Sequence, residues 1–142
     1  MAHAEKGYAF FDHTADIGIK AQGATLTELF IQMVQGLIEL IAEDSVLKPQ
    51  QARSLQLSAD EAESLLLTWM QEVLFWFSTE RFLPVTFELD EVTQTSLRGT
   101  VRGDIFDPAR HVQGREVKAI TRHLLQVRQE RDGWHGQVVV DI

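Results

Sequence analysis

The spacing of apolar residues switches repeatedly between two periods along this chain, and the order of those switches limits the folds open to it. In "DIGIKAQG", Ile17, Ile19 and Ala21 alternate with Gly18, Lys20 and Gln22. That period of two marks a half-buried strand, closed by Gly23. Thr25 then stands three residues before Glu28 in a capping-box spacing, where side chain and backbone satisfy each other's free groups at a helix start. Leu26, Leu29, Phe30, Met33, Val34, Leu37, Ile38, Leu40 and Ile41 follow at helical spacing and predict a helix from Leu26 to Ala42.

"QARSLQLSA" returns to alternation through Leu55 and Leu57. Ser58, three before Glu61, suggests a second capping box. The next helix carries Leu65, Leu66, Trp69, Met70, Val73, Leu74 and Phe77 on a broad apolar face, leaving Glu63, Gln71 and Glu72 for solvent. Trp69, Phe75, Trp76 and Phe77 could form a stacking platform for bases, but an aromatic stripe at helical spacing is read as core. After Pro84 come four strand-like stretches, "VTFELDEV", "TSLRGTVRGDIF", "EVKAITRHLLQV" and "WHGQVVVDI", the last two forming a hairpin across "RQERDG". Strand, helix, strand, helix and a run of strands argue an α+β fold, two helices packed on one face of a largely antiparallel sheet. We expect a single domain over residues 1–142.

With 44% hydrophobic and 24% charged residues in 142, the chain has material for one globular core. It contains no cysteine, so a metal would be held by oxygen or imidazole ligands. A continuous apolar leader is absent from "MAHAEKGYAFFDH", and a cytoplasmic protein is expected. The formal charge of −8 repels a polyanion at range. Lys118, Arg122, Arg128 and Arg131 form a weak basic cluster, diluted by Glu116, Glu130 and Asp132.

The chain lacks a Gly-rich phosphate loop, a nucleophile elbow and an HExxH motif. What remains is the acid-rich "DHTAD", the segment "DIFDPARHVQGREVKAITRH" and the terminal "VVVDI". Val138, Val140 and Ile142 alternate with Val139 and Asp141. If that strand is internal, Asp141 and the terminal carboxylate need a counter-charge, because burying them unpaired costs several kcal/mol. Lys118 could supply it, or a divalent cation bound by hard oxygens. The alternative is a frayed, solvated end. For Asp12 and Asp16 the alternative is turn capping, and for His13 a structural imidazole.

"FFDHTADIGIKAQG", "DPARHVQGREVKAITRH" and "VVVDI" together resemble the archease family over essentially the whole chain. The resemblance implies a small α+β protein that is not itself an enzyme. Archeases activate an RtcB-type RNA ligase, promoting its guanylylation and multiple turnover in tRNA splicing and RNA repair, with RNA contacted only through the ligase. The resemblance also implies a divalent-metal site, usually Ca²⁺ with Mg²⁺ or Mn²⁺ as alternatives, at Asp16, Asp141 and Ile142. Lys118 matches a position linked to activity, with His13 and Asp12 as further candidates. Arg122 stands where the family commonly has a tyrosine, while Thr121 and His123 are retained, His123 being read as structural. Competing readings are a metal-dependent phosphoester-processing enzyme, with His13 or His123 as base, and a chaperone-like helper of a tRNA-modifying methyltransferase.

Overall fold

The structure, a computed structural model, describes residues 7–13 and 16–142. Its elements are β1 (Tyr8–His13), β2 (Asp16–Gly23), α1 (Leu26–Ile41), β3 (Gln51–Ser58), α2 (Ala62–Glu80), β4 (Phe82–Val92), β5 (Ser96–Ile105), β6 (Ala119–Glu130) and β7 (Gly133–Asp141). The α+β expectation holds, and the strands pair antiparallel throughout. They divide into two sheets, however, in the orders β1-β2-β7-β6 and β3-β5-β4. The division follows from the width of the apolar helix faces. In α1, Leu26, Leu29, Phe30, Met33, Val34, Leu37, Leu40 and Ile41 are all buried, a stripe too broad for one sheet to cover. Both helices accordingly pack against strands of both sheets.

Thr25 caps α1 in the expected box: its Oγ1 accepts from the Glu28 N–H at 3.1 Å, and Glu28 Oε2 accepts from the Thr25 N–H at 3.1 Å. The second box does not form. Ser58 ends β3, and α2 starts at Ala62 after Glu61, whose side chain makes no capping bond. In the core Trp69 is fully buried, and its Nε1–H donates to the Phe30 carbonyl at 3.0 Å, tying α2 to α1. Trp69 meets Trp76 and Phe87 edge to face. The aromatic stripe is thus core at Trp69 and Trp76, but Phe75 is 59% exposed. Glu63 also departs from expectation, its Oε2 accepting the Val127 N–H at 3.3 Å. Among the described residues no helix is long and apolar enough to cross a membrane.

The strand β1 was not anticipated. "YAFFDH" runs four apolar residues together without alternation, yet pairing with β2 makes it the edge of its sheet. The expected terminal hairpin is present, with Arg131 and Asp132 as its two-residue turn. Its first strand is less regular than expected. The register of β6 against β7 slips between Thr121 and Gln126, and Leu124 within the slip adopts φ 56°, a bulge that turns side chains outward.

Candidate functional site

In the sheet β1-β2-β7-β6, alternation sends Ile17, Ile19, Ala21, Val138 and Val140 into the core. Asp16, Gly18, Lys20 and Gln22 of β2, with Asp141, Val139, Gln137 and His135 of β7, therefore share the other face. Register sets the rows. Asp16 lies directly opposite Asp141, His13 pairs with Asp16 from β1, and Ala119 pairs with Asp141 from β6. Opposed residues of antiparallel strands hold their Cβ atoms about 4.5–5.5 Å apart, so two carboxylates from opposite ends of the sequence stand side by side.

Both aspartates are half-buried, and Ile142 packs its side chain against the core. The end of β7 is therefore anchored, which sets aside the frayed-end alternative. The chain turns out of the core at Asp141 because Val138, Val140 and Ile142 claim the inner positions.

Lys118 was expected within the hairpin strand. It lies one residue before β6, exposed, and its main-chain N–H donates to the Asp141 carbonyl at 2.7 Å. The segment from Phe106 to Lys118 that delivers it is fixed at two further places. The N–H groups of Gly114 and Arg115 donate to the carbonyls of Ile41 and Leu40 at 2.9 and 2.6 Å, satisfying the C-terminal groups that α1 leaves open. A Cβ on Gly114 would sit 2.2 Å from the Leu40 oxygen, so only glycine permits that approach.

At the segment's start, Asp104 and His111 are buried at 2% and 4% exposure. His111 Nδ1 accepts the Asp107 N–H at 2.9 Å, which leaves the proton of a neutral ring on Nε2, 3.5 Å from Asp104 Oδ2. Burial alone would raise the Asp104 pKa, but the Lys48 N–H, the Arg110 guanidinium and the Ile105 N–H outweigh it and hold the carboxyl below the usual aspartate range. The stretch "DIFDPARH" contains this pair of anchors. Neither Asp104 nor His111 stands out in the sequence, since an acid and an imidazole seven residues apart have no unique meaning.

Asp12, expected beside the site, pairs with Ile17 in β1 and is exposed on the edge strand. It belongs to the other side of the pleat. His13 is placed with the acid row by its backbone register. Thr14 of "DHTAD" lies outside the described residues. Arg122 and His123 are exposed at the β6 bulge, and Thr121 Oγ1 donates to the Val139 carbonyl at 2.6 Å.

One row from the aspartates, the Phe11 ring crosses Gly18, where a Cβ would meet the ring at 2.0 Å. Val139, in the same row, is fully buried. Beyond it, Lys20 Nζ sits 5.2 Å from the Phe11 centroid. At the hairpin end, Arg128 Nε donates to Glu130 Oε2 at 2.5 Å, and His135 Nε2 lies 2.7 Å from Asp132 Oδ1. Glu130, Asp132 and His135 each place a possible ligand atom within 4.8 Å of the others. That cluster went unnoticed in the sequence because only the tight turn brings it together. The His135 contact holds the Asp132 carboxyl below its usual range.

Comparison with known proteins agrees with this architecture. The chain matches the Archease protein family (MTH1598/TM1083) over residues 8–142. It is 34% identical to the protein archease of Pyrobaculum neutrophilum over 139 residues, covering 95% of each chain. It is 32% identical to that of Methanosarcina acetivorans over 146 aligned positions, covering 100% of each. The solution structure of Methanobacterium thermoautotrophicum protein 1598 superposes with a TM-score of 0.81 at 31% identity, covering 96% of this chain and 99% of that one. A Thermotoga maritima archease described as a possible chaperone shares the fold, with a TM-score of 0.69 at 24% identity over 93% of this chain and 94% of its own. The chain belongs to the archease family.

Proposed function

We propose that the protein is a non-catalytic activator of an RtcB-type RNA ligase, promoting its guanylylation and turnover, and that its working part is a divalent-metal site at Asp16, Asp141 and Ile142. The observation that supports this reading is the register that sets Asp16 opposite Asp141. Two carboxylates in one row, beside the main-chain oxygens of Ile142, form an all-oxygen donor set suited to Ca²⁺, with Mg²⁺ or Mn²⁺ as substitutes. A cation held there supplies a positive centre with open coordination positions for a phosphate or a partner's carboxylate.

The chain's own residues do the positioning. Ile142 anchors the strand end through the core. The Lys118 N–H fixes the Asp141 main chain, and the exposed Lys118 side chain, one residue before β6, would offer a second positive group to an incoming anion. RNA is met through the ligase, in keeping with a formal charge of −8.

The test is single-turnover guanylylation of a cognate ligase with and without this protein, with divalent ions present and chelated. Stimulation that needs the ion and is lost in folded Asp16→Ala and Asp141→Ala variants is expected. Full stimulation by either folded variant sinks the metal-site reading. No stimulation by the intact protein sinks the ligase reading, and binding to a tRNA-modifying methyltransferase instead would favour the helper alternative.

A further inference from the structure

The other end of the same sheet face has a different chemistry. A cleft of about 340 Å³ opens there, lined by Lys20, Gln22, Gln126, Arg128, His135 and Gln137 together with Tyr8 and neighbouring glycines and alanines. Register arranges the six as two rows of three, Lys20–Gln137–Gln126 and Gln22–His135–Arg128, crossing β2, β7 and β6. The whole lining contains no carboxylate, although the chain carries 21 acidic residues against 13 basic ones.

Lys20, Gln22, Gln126 and Arg128 keep N–H groups to donate among the described residues, whereas the Gln137 amide nitrogen donates to the Leu124 carbonyl at 2.8 Å and His135 Nε2 lies 2.7 Å from Asp132 Oδ1. Gln126 Oε1 is occupied by Arg128 Nη1 at 2.8 Å, which leaves the Gln126 amide nitrogen as its free end. Arg128 is oriented by that contact and by Glu130, with Nη2 uncommitted among the described residues. Lys20 has no carboxylate within ion-pairing distance among the described residues, its ammonium resting near Phe11. Glu130 and Asp132 stand outside the lining and hold Arg128 and His135 from behind. Fixed side chains lose less entropy when a ligand arrives. Lysine, arginine and amide N–H groups lining a concave surface match the oxygens of a phosphate group.

We propose that this cleft binds a phosphate monoester of about nucleotide size, with Lys20 and Arg128 as its charged contacts and Gln22 and Gln126 as amide donors. The site is independent of the acid row. Asp16 and Gln22 are six residues apart on one strand, about 20 Å. The proposal stands whether or not the protein activates a ligase.

The test is titration of the full chain with inorganic phosphate, adenosine monophosphate and a 5′-phosphorylated RNA dinucleotide, followed by amide chemical shifts. We expect saturable shifts confined to the amides around Lys20, Gln22, Gln126 and Gln137. A folded Lys20→Gln/Arg128→Gln variant should bind about tenfold more weakly. Arg98→Gln, which removes a positive charge from the exposed part of β5, should change affinity by less than about twofold. Equal binding of all three probes identifies the phosphate group as the ligand. Tighter binding of the mononucleotide or of the dinucleotide identifies a free nucleotide or an RNA end. Shifts that never saturate, that map elsewhere, or that fall equally in Arg98→Gln overturn the proposal.

Discussion

The approach of Gly114 to the end of α1 makes a quantitative test of how Lys118 is held. In Gly114→Ala the new Cβ would lie 2.2 Å from the Leu40 oxygen and 3.1 Å from its carbonyl carbon, with the Ile41 carbonyl carbon at 3.3 Å. All three are backbone atoms of a helix end, so no side-chain rotation relieves the clash and the segment must lift. Lifting breaks the bonds from Gly114 to Ile41 and from Arg115 to Leu40. At a net of about 0.5–1.5 kcal/mol each, the cost is about 1–3 kcal/mol. With a urea dependence of about 2 kcal/mol/M, a loss of about 2 kcal/mol lowers the midpoint by about 1 M. Because the segment can detach without unmaking the core, the loss should stop there. Hydrogen exchange should show the Gly114, Arg115 and Lys118 amides losing protection together, while Met33 and Val138 keep theirs. An unchanged midpoint with Lys118 still protected would refute the steric argument. Complete unfolding would refute the view that the segment is an attachment to the core.

Trp69→Phe should destabilise by about 1–3 kcal/mol through the lost indole bond to the Phe30 carbonyl and the space left by the smaller ring, read from urea midpoints. Gly18→Ala should cost less than Gly114→Ala, since the Phe11 ring that it strikes can swing away; the sign would be new solvent exchange at Val139. Asp104, with its folded pKa depressed, adds stability that is present above the unfolded aspartate value of about 4 and is lost as pH falls through the lower folded value. Asp104→Asn should therefore be less stable than the parent at neutral pH, and the difference should shrink below pH 4 in denaturant titrations. Asp16→Asn and Asp141→Asn should abolish a Ca²⁺-dependent rise in melting temperature, and a full rise in either would contradict the proposed metal site.

Elements with long, clean periods were legible in the sequence. The α1 helix, its Thr25 cap and the strands β2 and β7 stand where alternation and spacing put them. Elements without a period were not. The apolar run of β1 carries no sidedness, since Phe11 covers one face while Phe10 is 42% exposed on the other. The Ser58–Glu61 pair has a capping spacing, but β3 keeps Ser58 in its ladder opposite Ser96. The division into two sheets is a property of helix width, which a one-dimensional pattern understates. The juxtaposition of Asp16 and Asp141 depends on β7 entering between β2 and β6. Local spacing could ask only for a counter-charge at Asp141; pairing topology brought the second carboxylate.

The Phe11 ring over Gly18 has an electrical consequence. It occupies the row between the aspartates and Lys20, four residues of strand, or about 13 Å. That span exceeds the screening length of about 8 Å at physiological ionic strength, and the ring fills its middle with hydrocarbon instead of a polar relay. The sheet face is thereby split into an acid pole and a cationic pole that barely sense each other. A charge gained at one leaves the other's occupancy unchanged, and an elongated partner carrying both signs can lie along the face in only one direction.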